Sequence, residues 1–270
     1  MPAVGLKFDE SPLAGHALIR LHNAPLPRLQ RSRAHPGTRA AALRGWEHRL
    51  RSEYQGMAFT RWFHGLTVEI NAPMDLQEVA LRMVLHEHQH ARYCMAAAAS
   101  LGGGSEMAFE PARLSGGDAS RGPLAAFWET LLGPFAVSET VALRLLAASI
   151  RLLPPSPYRA ILQTIARDEA LHARFGFLIL AEARKTGRRS ARWIEPPSDD
   201  WVRNHVRDFI AMGMERDVVE ADETERFRDP AQARALMRFG IPPPQAFKAA
   251  YDRALRIDVP LRFRAIGIAL

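Results

Sequence analysis

Cysteine occurs once in this 270-residue chain, at Cys94. That single thiol excludes an intramolecular disulfide and any multi-cysteine zinc or iron–sulfur site, and it suits a reducing compartment. Lysine is nearly as scarce, at Lys7, Lys185 and Lys248 alone, so the net charge of +7 is carried by arginine. The arginines are scattered among acidic residues, and the densest basic runs, 28–33 and 185–189, fall where loops are expected. A pI near 10.2 would otherwise suggest nucleic acid. With no aromatic-basic stripe on which bases could stack, a solvated surface is the better reading and nucleic-acid binding is disfavoured. The amino terminus lacks a basic segment leading into an apolar run, and no stretch approaches about 18 uncharged apolar residues. Neither a signal peptide nor a membrane span is therefore expected, and the cytoplasm is the working location.

Alternating strand patterns are missing as well, apart from 66–70 (Leu-Thr-Val-Glu-Ile). Helical periodicity is what fills the chain, and 47% hydrophobic content supplies a sizeable core. Residues 1–40 are proline-rich and polar without a sustained period, an irregular arm. From 39 to about 65, Trp46, Leu50, Glu53 and Met57 recur at three-four spacing, a first helix with Pro73 beyond its end. From 74 to 101, Leu76, Val79, Met83, Glu87, His90, Cys94 and Ala97 keep the alternation until Gly102, Gly103 and Gly104 stop it.

The glycine-rich segment 102–123 is long for a hairpin turn and reads as a crossover. A short helix at 124–132, broken at Gly133-Pro134, precedes a third long helix striped by Phe135, Glu139, Ala142, Leu146 and Ile150. Pro154, Pro155 and Pro157 end it and open a fourth at 158–185, with Leu162, Ile165, Glu169, His172 and Gly176 on one face. Helices near 199–219, 230–238 and 244–256 follow. The expected organisation is an arm over 1–40, a bundle over 41–187, and a helical extension over 188–270 packed on it.

Two segments rhyme. Glu87-His88-Gln89-His90-Ala91-Arg92-Tyr93 and Glu169-Ala170-Leu171-His172-Ala173-Arg174-Phe175 are each a Glu-x-x-His followed by Ala-Arg-aromatic, and no other Glu-x-x-His occurs in the chain. Residues three apart share a helix face, so each pair can aim a carboxylate and an imidazole at one metal. A dinuclear site needs one further carboxylate from each of the other two helices. Glu53 and Glu139 lie on the apolar stripes of those helices, each preceded by a serine, where an unpaired carboxylate would be costly. A single Glu-x-x-His is ordinarily surface, and a lone buried histidine is ordinarily a hydrogen-bonded core residue; the order E, ExxH, E, ExxH on four apolar faces is what separates this chain from those cases.

That order resembles the ferritin-like superfamily of di-iron and di-manganese carboxylate proteins over about residues 45–186. The pieces SEYQGMAFTRWFHGL, HEHQHARYC, VSETVALRLL and IARDEALHARFGF look most like its bacterial oxidase and oxygenase domains. The resemblance implies an all-α, ferritin-like four-helix bundle with a long crossover between its second and third helices. It also implies Glu53, Glu87, His90, Glu139, Glu169 and His172 as metal ligands, the middle and last carboxylates able to bridge. Asp168 matches the aspartate that holds a ligand histidine from behind in such sites, and His86 takes the corresponding place before Glu87. The hard, oxygen-rich donor set suits two iron ions, an Fe/Mn pair or Mn/Mn better than zinc. Cys94, Met57, Met83 and Ile165 are candidates to line a substrate cavity.

The activity expected from the resemblance is oxidation of a small organic substrate with O2 as co-substrate and an external electron donor, by hydroxylation, desaturation or N-oxygenation. A ferroxidase or peroxide-scavenging protein and a ferritin-like RNA-base hydroxylase are the alternatives. The arylamine N-oxygenases of the superfamily carry an added histidine where this chain has Ile165, which removes the specific reason to assert N-oxidation. A homodimer is among the assemblies such a chain allows.

Overall fold

The computed structural model describes residues 4–7, 26–104, 106–109, 114, 116–185, 194–212 and 227–270. Helix α1, Pro36–Glu69, starts with proline at its first turn and the His35 imidazole accepting from the Gly37 N–H at 3.3 Å. It runs through 66–70, where the sequence pattern allowed a strand: Leu66 and Thr67 are buried in the last turn, and the helix closes only at Ile70. A tight turn with Asn71 in the left-handed conformation (φ 52°) leads to α2, Met74–Ser100. There the Gly103 N–H reaches Ala98 O and the Gly102 N–H reaches Ala99 O, a C-terminal cap that needs the positive φ of Gly102.

The crossover contains strand β2, Glu106–Phe109, paired antiparallel with β1, Val4–Lys7, in the register Val4↔Phe109. This ribbon is an exception to the irregular arm, and α1 begins at Pro36, inside the span 1–40 expected for that arm; among the described residues all other regular elements are helical.

Gly133-Pro134 does not break the third rod. Helix α3, Pro123–Thr130, continues through π-helical turns at Leu131–Ser138 into α4, Glu139–Leu152. Pro134 has no N–H to give and its ring crowds the preceding turn, so the chain widens its turns instead of ending the helix. The Glu139 N–H then reaches back five residues to Pro134 O. This rod, Pro123–Leu152, is long and apolar enough to cross a membrane by length and composition, although Glu129, Glu139, Arg144 and Arg151 interrupt it. Half of its most apolar window is buried inside the protein, as in a core helix.

Ser156 caps α5, Pro157–Ala183, accepting from the Arg159 N–H at 3.1 Å. A Cβ at Gly176 would stand 2.7 Å from Leu131 O, so glycine is what lets α5 approach the π-helical turns. Helices α1, α2, the α3–α4 rod and α5 together make an all-α helical bundle.

Three further segments pack on it. Helix α6, Asp199–Met212, lays Val202 and Val206 into the core; the remainder of the predicted 199–219 helix lies outside the described residues. Helix α7, Pro230–Arg238, is followed by Phe239, whose carbonyl accepts from the Trp46 indole at 2.7 Å. Helix α8, Pro244–Arg253, passes through π-helical turns at Ala254–Asp258 into α9, Val259–Ala265. Arg144 holds Asp258 through two bonds of 2.5 and 2.8 Å, and Phe263 meets Phe177 edge-on at 4.9 Å.

The bundle interior has two apolar clusters. One gathers Phe63, Met83, Phe127, Leu131, Phe135 and Phe175; the other gathers Trp46, Leu50, Cys94, Tyr158, Leu162 and Ile165. Along α1, α2 and α5 these clusters fall on opposite sides of Glu53, of Glu87 and His90, and of Glu169 and His172. A polar layer therefore crosses the middle of an oily bundle.

Candidate metal centre

Each Glu-x-x-His sits on one helical face, and the two helices carrying them turn those faces toward each other. His90 and His172 are fully buried, and Glu87 and Glu169 are 3% and 4% exposed. Glu53 from α1 and Glu139 from the start of α4 complete the layer. The ligand atoms fall into two groups, Glu53, Glu87, His90 and Glu169, and Glu87, Glu139, Glu169 and His172, each with its atoms within 4.8 Å of one another. Glu87 and Glu169 belong to both.

The distances describe convergence on common points. His90 Nδ1 lies 3.3 Å from Glu53 Oε2 and 3.2 Å from Glu169 Oε1; His172 Nδ1 lies 3.1 Å from both Glu87 Oε1 and Glu169 Oε2, and 4.0 Å from Glu139 Oε1. Yet His90 Nδ1, His172 Nδ1 and Glu169 Oε2 are buried without a properly directed hydrogen bond. Leaving buried polar atoms unpaired ordinarily costs about 1–3 kcal/mol each, and buried carboxylates cost more. Atoms aimed at one point between them, rather than at one another, fit a cation at that point. These residues could hold metal ions.

Behind the imidazoles the chain crosses over. Asp168, which precedes Glu169 on α5, reaches His90 Nε2 of α2 at 3.4 Å, and His86, which precedes Glu87 on α2, places its Nδ1 3.3 Å from His172 Nε2 of α5. Neighbouring residues on a helix point about 100° apart, so the one before a ligand glutamate faces the adjacent helix. His88 is exposed, and His64 belongs to neither ligand group. Met83 lies in the phenylalanine cluster, Cys94 and Ile165 in the Trp46 cluster, all three fully buried, while Met57 is half-buried one turn beyond Glu53. A surface pocket lined by Leu26, Leu29, Ala96 and Gly103 includes none of these four.

One residue of the site escaped the sequence reading. A Cβ on Gly56 would stand 2.5 Å from Glu87 Oε2 and 3.0 Å from its Cδ, so the carboxylate occupies the space that glycine vacates. Its only signal is a glycine three residues after Glu53 on the same face of α1. In the metal-free protein the gain of about 1 kcal/mol that Gly56→Ala brings through helix propensity should be offset by the cost of displacing the buried Glu87 carboxylate. Because Glu87 must move, the same change should weaken metal binding by about tenfold. Unchanged metal affinity in an equilibrium titration would show that Glu87 does not need that space.

Protonation in the metal-free protein follows from crowding. Burial alone would lower His90 and His172, but the carboxylates pressed against them hold both well above the ordinary histidine value. Burial and then the charge of Glu169 push Glu87 up to about 7 and raise Glu139 well above the usual carboxylate range. Glu169 moves the other way against its own burial, because it faces both imidazoles. Groups with raised values carry more protons folded than unfolded, so above about pH 4.5 for the glutamates and 6.5 for the histidines the metal-free fold should weaken as pH rises. Metal must displace those same protons, so its affinity should increase with pH. Loading at pH 7 in weakly buffered solution with an indicator dye should release protons; loading without release would contradict this account.

No protein family, curated protein or solved structure matches the chain. Its class is accordingly defined by its own architecture: a mostly helical bundle enclosing a buried cluster of glutamates and histidines that could hold metal.

Proposed function

We propose that the chain is a ferritin-like di-metal enzyme, a non-haem di-iron, Fe/Mn or Mn/Mn oxygenase or oxidase that uses O2 and an external electron donor to oxidise a small organic substrate. The observation that carries the reading is the sharing of Glu87 and Glu169 between two ligand groups whose imidazole Nδ1 atoms have no hydrogen-bond partner. Glu87 and Glu169 would bridge, Glu53 and His90 would complete one position, and Glu139 and His172 the other. Four carboxylates balance two divalent cations, and oxygen-rich donors with one imidazole each favour iron or manganese. Cys94 is in neither group.

Bound there, a redox-active pair would supply electrons for the reduction of O2. The protein's share is to hold the ligands rigidly and to exclude water. Asp168 and His86 fix the orientation of the two imidazoles from behind. One helical turn from Glu87, Glu139 and His172 stand Met83, Phe135 and Phe175, buried apolar side chains that keep water from the ligands. Apolar surroundings of that kind are a poor path for hydrated iron, and so support the oxygenase reading over iron storage.

Protein purified from an iron- and manganese-replete culture should hold about two metal ions per chain by mass spectrometry. Reduced and exposed to O2 with a cell extract, it should yield an oxidised small molecule. A mineral core of many irons per chain would instead identify iron as the substrate, and a wild-type chain that binds no metal would sink the proposal.

A further inference from the structure

Resting on that metal reading, the geometry points to two metal positions of unequal strength, the Glu53–His90 position binding more tightly than the Glu139–His172 position, with His86 setting the difference. Both ligand imidazoles turn Nδ1 toward the carboxylates and Nε2 outward, so what stands behind each Nε2 governs how well its ring donates.

Behind His90 stands the Asp168 carboxylate, which can only accept. It keeps the ring proton on Nε2, leaves the Nδ1 lone pair for a cation, and adds a negative charge that makes the ring a stronger donor. Arg167 Nε donates to the other oxygen of Asp168 at 3.1 Å and holds the carboxylate in place.

Behind His172 the partner is another imidazole. His86 Nδ1 lies 3.3 Å from His172 Nε2, with the two ring planes within 15° of parallel. Accepting through Nδ1, His86 selects the same tautomer of His172 that Asp168 selects in His90, but it brings no charge. The donor sets of the two positions mirror each other: one terminal glutamate, two shared glutamates and one histidine through Nδ1. The residue before each Glu-x-x-His is where the repeat departs from itself.

The test uses the full-length metal-free protein and Mn(II) alone, followed by electron paramagnetic resonance. The wild type should fill in two steps about 10–100-fold apart in affinity, the first giving the signal of an isolated ion and the second that of a coupled pair. His86→Asp should tighten the second step and close the gap, and Asp168→Asn should weaken the first. His86→Asn, which keeps an uncharged acceptor, should leave two separated steps. A single step in the wild type, a gap unchanged in His86→Asp, or a gap closed equally by His86→Asn would overturn the inequality. A wild type that binds no Mn(II) would overturn the metal reading itself, and a pair bound with equal affinity would overturn only this inference.

Discussion

Glu169→Ala should leave the purified protein almost free of metal, whereas Glu53→Ala and Glu139→Ala should each leave about one ion per chain. Glu169 spans the whole cluster: Oε1 lies 3.2 Å from His90 Nδ1 and Oε2 lies 3.1 Å from His172 Nδ1. It belongs to both ligand groups, as Glu87 does, while Glu53 and Glu139 each belong to one. Removing a shared carboxylate takes a donor and a negative charge from both positions at once. Removing a terminal one leaves the opposite position with its full set. Metal content by mass spectrometry decides the matter, with circular dichroism to confirm that each variant folds. Two ions retained in Glu169→Ala would refute the shared-ligand arrangement, and an equal loss in all three variants would show that the positions do not bind independently.

Phe63→Ala should destabilise the fold by about 3–5 kcal/mol. Phe63 is fully buried at the centre of one of the two apolar clusters. Its ring stacks on Phe127 at 5.2 Å, tilts against Phe135 at 4.6 Å and meets Phe175 edge-on at 6.0 Å. It therefore ties α1 to α3, to the π-helical turns and to α5, and the space it fills cannot close without moving three helices. Chemical denaturation of the metal-free protein measures the loss. Metal should restore part of it, because a ligand that binds only the folded chain stabilises that state by mass action. A loss below about 1 kcal/mol would mean that the cluster collapses into the gap, contrary to the close packing expected of such a core.

The parts of this protein written in local spacing were legible in the chain. A helix places residues three and four apart on one face whatever surrounds it, so Glu87 with His90 and Glu169 with His172 could be paired before any helix was packed. The apolar stripes located the long helices, and the prolines and glycines near 73, 102 and 154–157 located their ends. Local pattern misled where context overrode it. The β-branched residues of 66–70 suggested a strand but cap a 34-residue helix, since burial of Leu66 and Thr67 outweighs a weak strand preference. Gly133-Pro134 suggested a break but lies within continuous π-helical turns, whose neighbours on α5 and α6 hold them in place.

By itself, then, the sequence determined an all-α chain with six candidate ligands on four helical faces, because helical period and the i, i+3 relation are properties of a single segment. Only the tertiary structure decided that Glu87 and Glu169 serve both ligand groups, that Asp168 backs His90 while His86 backs His172, and that Glu87 lies in the space left by Gly56. Those are facts of register between helices. They depend on how far each rod slides and turns against its neighbours, which side-chain packing sets across the whole bundle and no single segment encodes.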